Sequence, residues 1–375
     1  MIDNKESRCT SLDDVHVVLN KWLYLEDNNC IDLVLATALS NQIKGTPIWL
    51  ILCGNSGDGK TELLNGLRGL DNVETIDQIT TNTLCSGKPN AKDLGSRLQD
   101  NDTILLILDM ASLTSKQKDA KAEIWGQFRN LYDGFITKRT GNDTSRKYEN
   151  CHVTLLGAST PVIRKEFLIH QELGTRELLY NTYSTSETDN ERMDKALMNE
   201  NNELQMKKEI QNVMTGFIKS HKIEEIEISE DIKKFVKEQA NMLKNLRATV
   251  DTDGFYHECN QDVNLERPTR LVKQFIRIYR ALKSLDKNYP DDRAKDIIRH
   301  IVESSGNEVR HKILSSMQYY HPYTISEMQQ ITRLGRSAVK PQMEALWNMK
   351  IIDKEVVKDK VGNKEEYVAY YTRIF

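Results

Sequence analysis

The sequence predicts an α/β protein built around a parallel β-sheet, and three observations support this fold class. Residues 48–53 form a short apolar run, which a glycine-rich segment and a helical pattern follow directly. Two further apolar runs, at 103–109 and 151–161, end in polar residues. Short apolar runs bounded in this way are typical of the buried strands of a parallel sheet.

The composition limits the class of protein. A chain of 375 residues is long enough for two or three domains, and 39% hydrophobic with 29% charged residues is typical of a soluble globular protein. No apolar run approaches the ~18 residues of a membrane span, and residues 1–6 lack a signal-peptide core. We therefore expect a cytoplasmic protein without a membrane partner. The formal net charge of −3 confines any nucleic-acid contact to a local basic surface.

The segment 54–61 reads Gly-Asn-Ser-Gly-Asp-Gly-Lys-Thr, which is the Gly-x-x-x-x-Gly-Lys-Thr pattern of a phosphate-binding loop, or P-loop. Its glycines allow backbone N–H groups to turn inward around an anion, where a Cβ would clash. We expect Lys60 to reach the β- and γ-phosphates of ATP and Thr61 to offer its hydroxyl to Mg²⁺. The predicted nucleotide-binding residues of this segment are Gly54, Asn55, Ser56, Gly57, Asp58, Gly59, Lys60, Thr61 and Glu62.

The second apolar run ends in a carboxylate, Asp109, which is the form of a Walker B segment. Asp109 is expected to lie beside Thr61 and to hold Mg²⁺, directly or through a water molecule. The alternative is an aspartate that caps the next helix. The third apolar run ends in two hydroxyl residues, Ser159 and Thr160.

From residue 48 to about residue 275, the order and spacing of these motifs resemble those of the AAA+ ATPases. The resemblance implies that Ser159 or Thr160 is the sensor 1 residue, which orients the attacking water near the γ-phosphate; Thr160 is our catalytic candidate. Residues 173–180 are similar to the segment that carries the arginine finger in that superfamily. Arg176 would then cross a subunit boundary to the γ-phosphate of a neighbour. The alternative is a surface arginine paired with an acidic residue.

The AAA+ resemblance extends to a helical lid and has one departure. Residues 266–271 resemble the sensor 2 position, which implies a nucleotide contact by Arg270, with Arg267 and Arg247 as rivals. Most AAA+ Walker B strands end in Asp-Glu, whereas Met110 follows the aspartate in this chain. A general base contributes about 10²–10⁴ in rate, so hydrolysis is expected to be slow unless another carboxylate, such as Glu123, replaces it.

An insertion between the Walker B and sensor 1 segments predicts a nucleic-acid contact. Residues 121–132 have a helical pattern, and residues 135–148 predict a β-hairpin with a basic tip. A helix and a hairpin in this place resemble the pre-sensor-1 hairpin clade of AAA+ proteins, which includes the minichromosome-maintenance helicases. The resemblance implies phosphate contacts by the basic residues of the hairpin; the alternative is a solvated surface hairpin. These residues are Lys138, Arg139, Arg146 and Lys147.

The C-terminal residues 323–371 predict a helix, a glycine turn, a second helix and a β-hairpin around Gly362-Asn363. This combination is a winged-helix domain, whose second helix would present Arg336 and Lys340 to a DNA groove. Because Pro341 lies within that helix, the helix is expected to start late or to bend. Acidic residues also dilute the positive charge of the hairpin, so the alternative is docking of a protein partner.

Five segments follow from these motifs: an N-terminal helical segment at 1–45, a P-loop AAA+ core at 46–182, a polar connector at 183–212, a helical lid at 213–315 and a winged helix at 316–375. The leading interpretation is an ATPase that acts on DNA as a homo-oligomer, in replication initiation, helicase-like work or defence. Residues 174–180 and 267–271 resemble ATP-binding proteins of bacterial mobile elements. The alternative is a slowly hydrolysing assembly switch whose winged helix binds a protein.

Overall fold

A five-stranded parallel sheet with helices around it gives the chain a mixed α/β architecture, seen in a computed structural model that describes residues 11–86, 88, 92–139, 145–170, 174–182, 189–250, 265–361 and 364–374. The strands are β1 (Trp49–Cys53), β2 (Val73–Ile76), β3 (Asp102–Ile107), β4 (Ile136–Arg139), β5 (Ser145–Tyr148), β6 (His152–Ser159), β7 (Leu178–Asn181), β8 (Pro322–Tyr323), β9 (Ile352–Val361) and β10 (Lys364–Arg373).

The helices are α1 (Leu12–Trp22), α2 (Asn29–Leu39), α3 (Lys60–Asn65), α4 (Gly95–Leu98), α5 (Ala111–Thr114), α6 (Lys118–Tyr132), α7 (Ile163–His170), α8 (Asp189–Asn199), α9 (Glu203–Ser220), α10 (Glu230–Arg247), α11 (Thr269–Lys283), α12 (Asp291–Ser305), α13 (Glu308–Ser316), α14 (Ile325–Thr332) and α15 (Arg336–Asn348), with a short 3-10 helix at Ser40–Gln42. No helix in the described part of the chain combines the length and the apolar character needed to cross a membrane.

The chain forms two compact units. The first contains Met1–Ile169, Thr175–Val236 and Thr269–Ile301, and the second contains His170–Gly174, Lys237–Pro268 and Val302–Phe375. The five segments predicted from the sequence stay a prediction.

The sheet of the first unit has the strand order β2-β3-β6-β1-β7, and all of its neighbouring strands are parallel. All five residues of β1 are buried, and seven of the eight residues of β6 are buried as well. Both strands are apolar on both faces because helices cover both faces of a parallel sheet. The predicted α/β core with a parallel sheet is confirmed.

Trp49 of β1 fixes the position of α6 on the sheet. Its ring is fully buried and meets Phe128 edge-on at 5.8 Å and Tyr132 edge-on at 5.2 Å between ring centroids. Its indole N–H donates to the carbonyl of Val153 at 2.8 Å, so burial leaves no polar atom of the ring unsatisfied. The helix predicted at 121–132 therefore belongs to the core of the first unit.

A buried carboxylate links three helical segments of the first unit. Asp32 of α2 is fully buried and accepts from His16 of α1 at 2.6 Å and from the hydroxyl of Tyr289 at 2.5 Å. Arg293 of α12 pairs with the same carboxylate at 2.7 Å. Burial, and then the negative charge of Asp32, raise the pKa of the Tyr289 hydroxyl. A buried charge with this many partners is stable only while all of them remain in place.

The second unit contains a three-stranded antiparallel sheet with the order β8-β10-β9, together with α13, α14 and α15. Thr324 and Glu327 form a capping box at the start of α14. Helix α15 begins at Arg336 and continues through Pro341, so it does not start late. Glu344 of α15 is buried and accepts from the hydroxyl of Tyr371 at 2.5 Å.

Some sequence predictions fall outside the described residues. These are the hairpin tip at 140–144, residues 171–173 and 183–188, and the turn at 362–363. Four cysteines in the described part of the chain, Cys30, Cys53, Cys85 and Cys151, are buried free thiols, as expected for small core residues.

Candidate functional site

The carboxyl ends of β1, β6 and β3 lie side by side at one edge of the sheet, and each of them carries a predicted site segment. In open α/β sheets ligands bind outside the carboxyl ends of the strands. The P-loop follows β1 directly and therefore lies at this edge.

The glycines of the P-loop are required for two different reasons. Gly57 and Gly59 have φ angles of +91° and +74°, in the left-handed region that a side chain rarely adopts. Apart from its neighbours Ser56 and Asp58, no described residue has an atom within 4 Å of the position that a Cβ on Gly57 would take, so the loop is open on that side among the described residues. Gly54 is required for close packing, because its Cβ would lie 1.8 Å from the hydroxyl of Thr182 and 2.5 Å from Asp58.

Lys60 begins α3 and its side chain is only 8% exposed. Its ammonium group donates to the carbonyl of Asn55 at 2.5 Å and lies 3.9 Å from the carboxylate of Asp58. Burial lowers the pKa of Lys60, and the charge of Asp58 opposes this shift. The geometry places a partly desolvated cation inside the loop, where its attraction to an anionic group is stronger than in bulk water.

Asp58 makes contacts that its position in the P-loop motif did not predict. Its carboxylate accepts from the hydroxyl of Thr182, just after β7, at 3.0 Å. It also pairs with Arg192 of α8 at 3.1 Å. The segment containing Arg192 was predicted to be a polar connector. The sequence shows only that an acidic residue, Asp58, lies within the predicted phosphate-binding loop. It does not indicate that Arg192 is the partner of this residue.

The second predicted metal ligand, Asp109, follows β3 and is exposed, as is Thr61. The hydroxyl of Thr61 lies 3.5 Å from the carbonyl of Leu108, so the predicted Walker B segment runs next to α3. One carboxylate oxygen of Asp109 accepts from the backbone N–H of Ala111 at 2.8 Å, which is a cap on α5. The cap and the proposed metal contact are compatible, because a carboxylate has several lone pairs. Glu62, the last predicted loop residue, is half-buried.

The two sensor 1 candidates differ in exposure. Ser159 is buried, and its carbonyl accepts from the N–H of Gly54 at 3.1 Å. Thr160 is exposed at the end of the strand, which favours it for a contact with solvent or ligand. Arg164, which the sequence analysis did not identify, donates to the side chain of Asn181 at 2.7 Å, near the carboxyl end of β7.

The two arginines predicted for the finger and sensor 2 positions lie together. Arg176 and Arg270 each place their guanidinium carbon 5.8 Å from the ring centroid of Tyr132. Arg176 pairs with Asp133 at 3.0 Å, and Arg270 donates to the carbonyl of Thr175 at 3.2 Å. Gln274 of α11 completes the cluster, since its amide donates to the Tyr132 hydroxyl at 3.0 Å and to the Arg176 carbonyl at 2.8 Å. Burial raises the pKa of Tyr132.

The two rivals of Arg270 occupy different surroundings. Arg267 is exposed just before α11. Arg247 is buried in the second unit, where its Nε donates to the carbonyl of Ser305 at 3.2 Å. Arg247 therefore has a structural role in the second unit, because its guanidinium group is buried and bound to a backbone oxygen.

The hairpin formed by β4 and β5 divides its four basic residues between two faces. Lys138 and Arg146 are opposite each other in the register and share one face, because side chains alternate along a strand. Lys138 donates to the carbonyl of Thr81 at 2.8 Å, and Arg146 pairs with the buried Asp93 at 2.9 Å. Their side chains are 17% and 14% exposed. This face of the hairpin therefore packs against the segment that contains Thr81 and Asp93.

The other face carries Arg139, which is exposed, and Lys147, whose side chain is 57% exposed. Lys147 pairs with Glu149 at 2.5 Å, but an exposed pair of this kind contributes little free energy and is easily exchanged.

Glu123, the predicted substitute for the catalytic base, lies 3.2 Å from Lys138 and accepts from Gln127 at the same distance. Glu123 therefore supports the hairpin.

The two basic residues predicted on the second helix of the C-terminal domain are both on α15. Arg336 is exposed at the first position of the helix, and Lys340 is half-buried one turn later. Gly335 precedes the helix without a side-chain cap.

Comparison with known proteins gives only distant structural similarities: no family model and no curated protein matches the sequence. The chain is similar to a full-length MCM homolog from Methanopyrus kandleri, with 11% identity and a TM-score of 0.41, over 79% of this chain and 60% of that one. It is also similar to two structures of the NrS-1 C-terminal region, with 12% identity, TM-scores of 0.30 and 0.31, and coverage of 97% of this chain and 76% of those. These values assign the chain to no family.

Proposed function

We propose that the chain is an AAA+-type ATPase that binds Mg²⁺-ATP in the P-loop at the carboxyl ends of β1, β6 and β3. The observation that carries this proposal is the loop itself, with two left-handed glycines, an open side at Gly57 and the buried ammonium of Lys60. The donor set also fits the metal, since the hydroxyl of Thr61 and the carboxylate of Asp109 are hard oxygen ligands on adjacent segments.

In the proposed mechanism the loop N–H groups and Lys60 would bind the β- and γ-phosphates, while Thr61 and Asp109 would hold Mg²⁺, which would supply charge neutralisation at the phosphate oxygens. Thr160 would form a hydrogen bond with the attacking water, whose oxygen bonds to the γ-phosphorus as the bond from phosphorus to the ADP oxygen breaks. Met110 is buried after Asp109, so the usual carboxylate base is absent from that position.

Arg176 and Arg270 are proposed to act at a boundary between subunits of a homo-oligomer. Both guanidinium groups flank Tyr132, so they would approach a neighbouring nucleotide as one positively charged unit. Arg176 would have to exchange Asp133 for the γ-phosphate; the Arg176 side chain is 11% exposed and that of Asp133 is 47% exposed. A bidentate arginine–phosphate contact would compensate for the lost pair.

DNA is the proposed partner, and the hairpin is its proposed contact. The exposed face with Arg139 and Lys147 would bind phosphates, whereas Lys138 and Arg146 would position the hairpin. The C-terminal elements α13 to α15 with β9 and β10 support a winged helix, in which Arg336 and Lys340 of α15 are further phosphate contacts.

Replacing both Arg139 and Lys147 by alanine is expected to weaken DNA binding and to lower the slope of log affinity against log salt by up to about two, because two phosphate contacts are lost. The melting temperature should stay the same. The matched variant carries Lys138→Ala and Arg146→Ala, which leave the buried Asp93 without its cation, and its melting temperature should fall by several degrees. Unchanged DNA affinity in the first variant would contradict the assignment of the hairpin.

Steady-state ATP hydrolysis, measured with and without single- or double-stranded DNA and with Lys60→Ala as the blank, tests the proposed function. We expect turnover that requires Mg²⁺ and rises with DNA. Arg176→Ala should then lower turnover with little change in ATP affinity, because the arginine acts on the neighbouring site.

The second candidate function is a nucleotide-dependent assembly switch. The observation that favours it is the absence of a base next to Asp109, together with the contacts that hold Glu123 at Lys138 and Gln127. In this version ATP binding promotes oligomerisation and the C-terminal domain docks a protein. Tight ATP binding with background hydrolysis under every condition would favour the switch and contradict the DNA-dependent ATPase.

A further inference from the structure

The P-loop contains a buried carboxylate, which is an unfavourable neighbour for a polyphosphate. The side chain of Asp58 is only 3% exposed. It lies two residues before Lys60, and its carboxylate is 3.9 Å from the Lys60 ammonium. A carboxylate in this place repels an incoming phosphate and also competes with it for the lysine. The loop therefore requires a compensating charge.

Arg192 of α8 supplies that charge. Its Nη1 lies 3.1 Å from one oxygen of Asp58, and Thr182 donates to the other oxygen at 3.0 Å. The guanidinium group is itself held by Glu26 at 3.3 Å and lies 5.5 Å from the ring centroid of Tyr24. The side chain of Arg192 is 17% exposed, so the pair is largely removed from solvent and only weakly screened.

Helix α8 is attached to the nucleotide site by polar contacts. None of its eleven residues, all of which the structure describes, is buried. Besides Arg192, its Lys195 donates to the carbonyl of Asn20, and Asn199 donates to the carbonyl of Trp22 at 2.7 Å. Of these three residues Arg192 contacts the P-loop, whereas Lys195 and Asn199 attach the helix to the end of α1.

We propose that Arg192 is a positioning residue of the nucleotide site, which neutralises Asp58 and, together with Thr182, holds the carboxylate no closer than 3.9 Å to the Lys60 ammonium, so that Lys60 is available to the phosphates. This inference rests on the proposed binding of ATP by the P-loop. The position of Asp58 also shapes the loop, because the carboxylate packs against Gly54, where even a Cβ would lie 2.5 Å from it. Without Arg192, Asp58 would turn to Lys60 and disturb both the charge and the shape of the site.

The test is a double-mutant cycle with ATP affinity as the readout. Mg²⁺-ATP binding is measured by calorimetric titration in the full chain for the wild type, Arg192→Met, Asp58→Asn and the double variant. Arg192→Met is expected to weaken binding by about 10- to 100-fold, as for other residues that orient a binding group. Asp58→Asn is the second single variant, and the double variant should bind ATP within about threefold of Asp58→Asn, because Arg192 has no charge to neutralise once residue 58 is neutral.

Two further variants keep the test decisive. Lys195→Met removes a contact of the same helix without removing the counter-charge, and it should bind ATP like the wild type. Arg192→Lys retains a cation beside Asp58 and should bind within about tenfold of the wild type even if Arg192→Met does not fold.

The proposal is overturned if Arg192→Met binds ATP as the wild type does, or if the double variant is as weak as Arg192→Met. The latter result would mean that Arg192 acts through the packing of α8 and not through the charge of Asp58. A folded wild-type protein that does not bind ATP at all would instead refute the proposed function, and with it the premise of this inference.

Discussion

Replacing Lys60 by alanine is expected to reduce ATP hydrolysis by at least about 10²-fold and to bring ATP binding close to background. The expected size follows from the loss of a preorganised cation that stabilises the charge developing on the phosphates. The ammonium of Lys60 is also partly desolvated inside the loop, where each charge-assisted hydrogen bond to a phosphate oxygen is stronger than at a surface. Hydrolysis is measured by phosphate release and binding by titration with Mg²⁺-ATP.

The control for this variant is Lys44→Ala. Lys44 has a side chain that is 74% exposed and pairs with Asp102 at the start of β3, at the opposite edge of the sheet. Its replacement should leave ATP binding unchanged. Lys60→Ala should also remain folded, because Asp58 keeps Arg192 and Thr182 as partners. ATP affinity within about threefold of the wild type in the folded Lys60→Ala protein would show that the P-loop does not bind phosphates.

Replacing Asp32 by alanine is expected to lower the free energy of unfolding of the first unit by about 3–5 kcal/mol. The carboxylate is fully buried, and its removal leaves His16, Tyr289 and Arg293 without their shared acceptor. The larger part of the effect is the cost of buried polar groups that lose a partner. Urea unfolding followed by tryptophan fluorescence measures it, since Trp22 and Trp49 lie in the same unit.

Two variants accompany this measurement. Asp32→Asn keeps the volume and an acceptor oxygen but loses the charge opposite Arg293, so its effect should be smaller than that of alanine. Asp77→Ala is the surface control, because its side chain is 78% exposed and lies 3.7 Å from Arg68. It should change the free energy of unfolding by less than about 0.5 kcal/mol. An equally small effect of Asp32→Ala would contradict the assigned role of the buried cluster.

The α/β core and the place of the P-loop were predictable because their signals are local. Within 20 residues the sequence contains an apolar run, a glycine pattern and the beginning of a helix. These correspond to β1, the P-loop and α3. The pairing of Asp58 with Arg192 was not predictable in this way, because 134 residues separate the two and helix α8 buries none of its residues.

The hairpin shows a signal that was present in the sequence but was not used. Alternation along β4 and β5 already requires that Lys138 and Arg146 face one side while Arg139 and Lys147 face the other. The sequence does not indicate which of the two faces of the hairpin packs against the rest of the first unit. That depends on Asp93 and on the carbonyl of Thr81, which belong to a loop before β3.

The position of β1 within the sheet has a consequence for biosynthesis. Trp49 pairs with Leu155 of β6, and Leu50 pairs with Leu178 of β7, so β1 is enclosed by strands that are translated much later. Non-local pairing of this kind is slow, and a growing chain cannot complete it until both partners have left the ribosome. The P-loop is synthesised well before Thr182, yet its contacts are complete only after Thr182 has joined it. Nucleotide, which binds only this completed form, would therefore act as a late stabiliser of the folded chain.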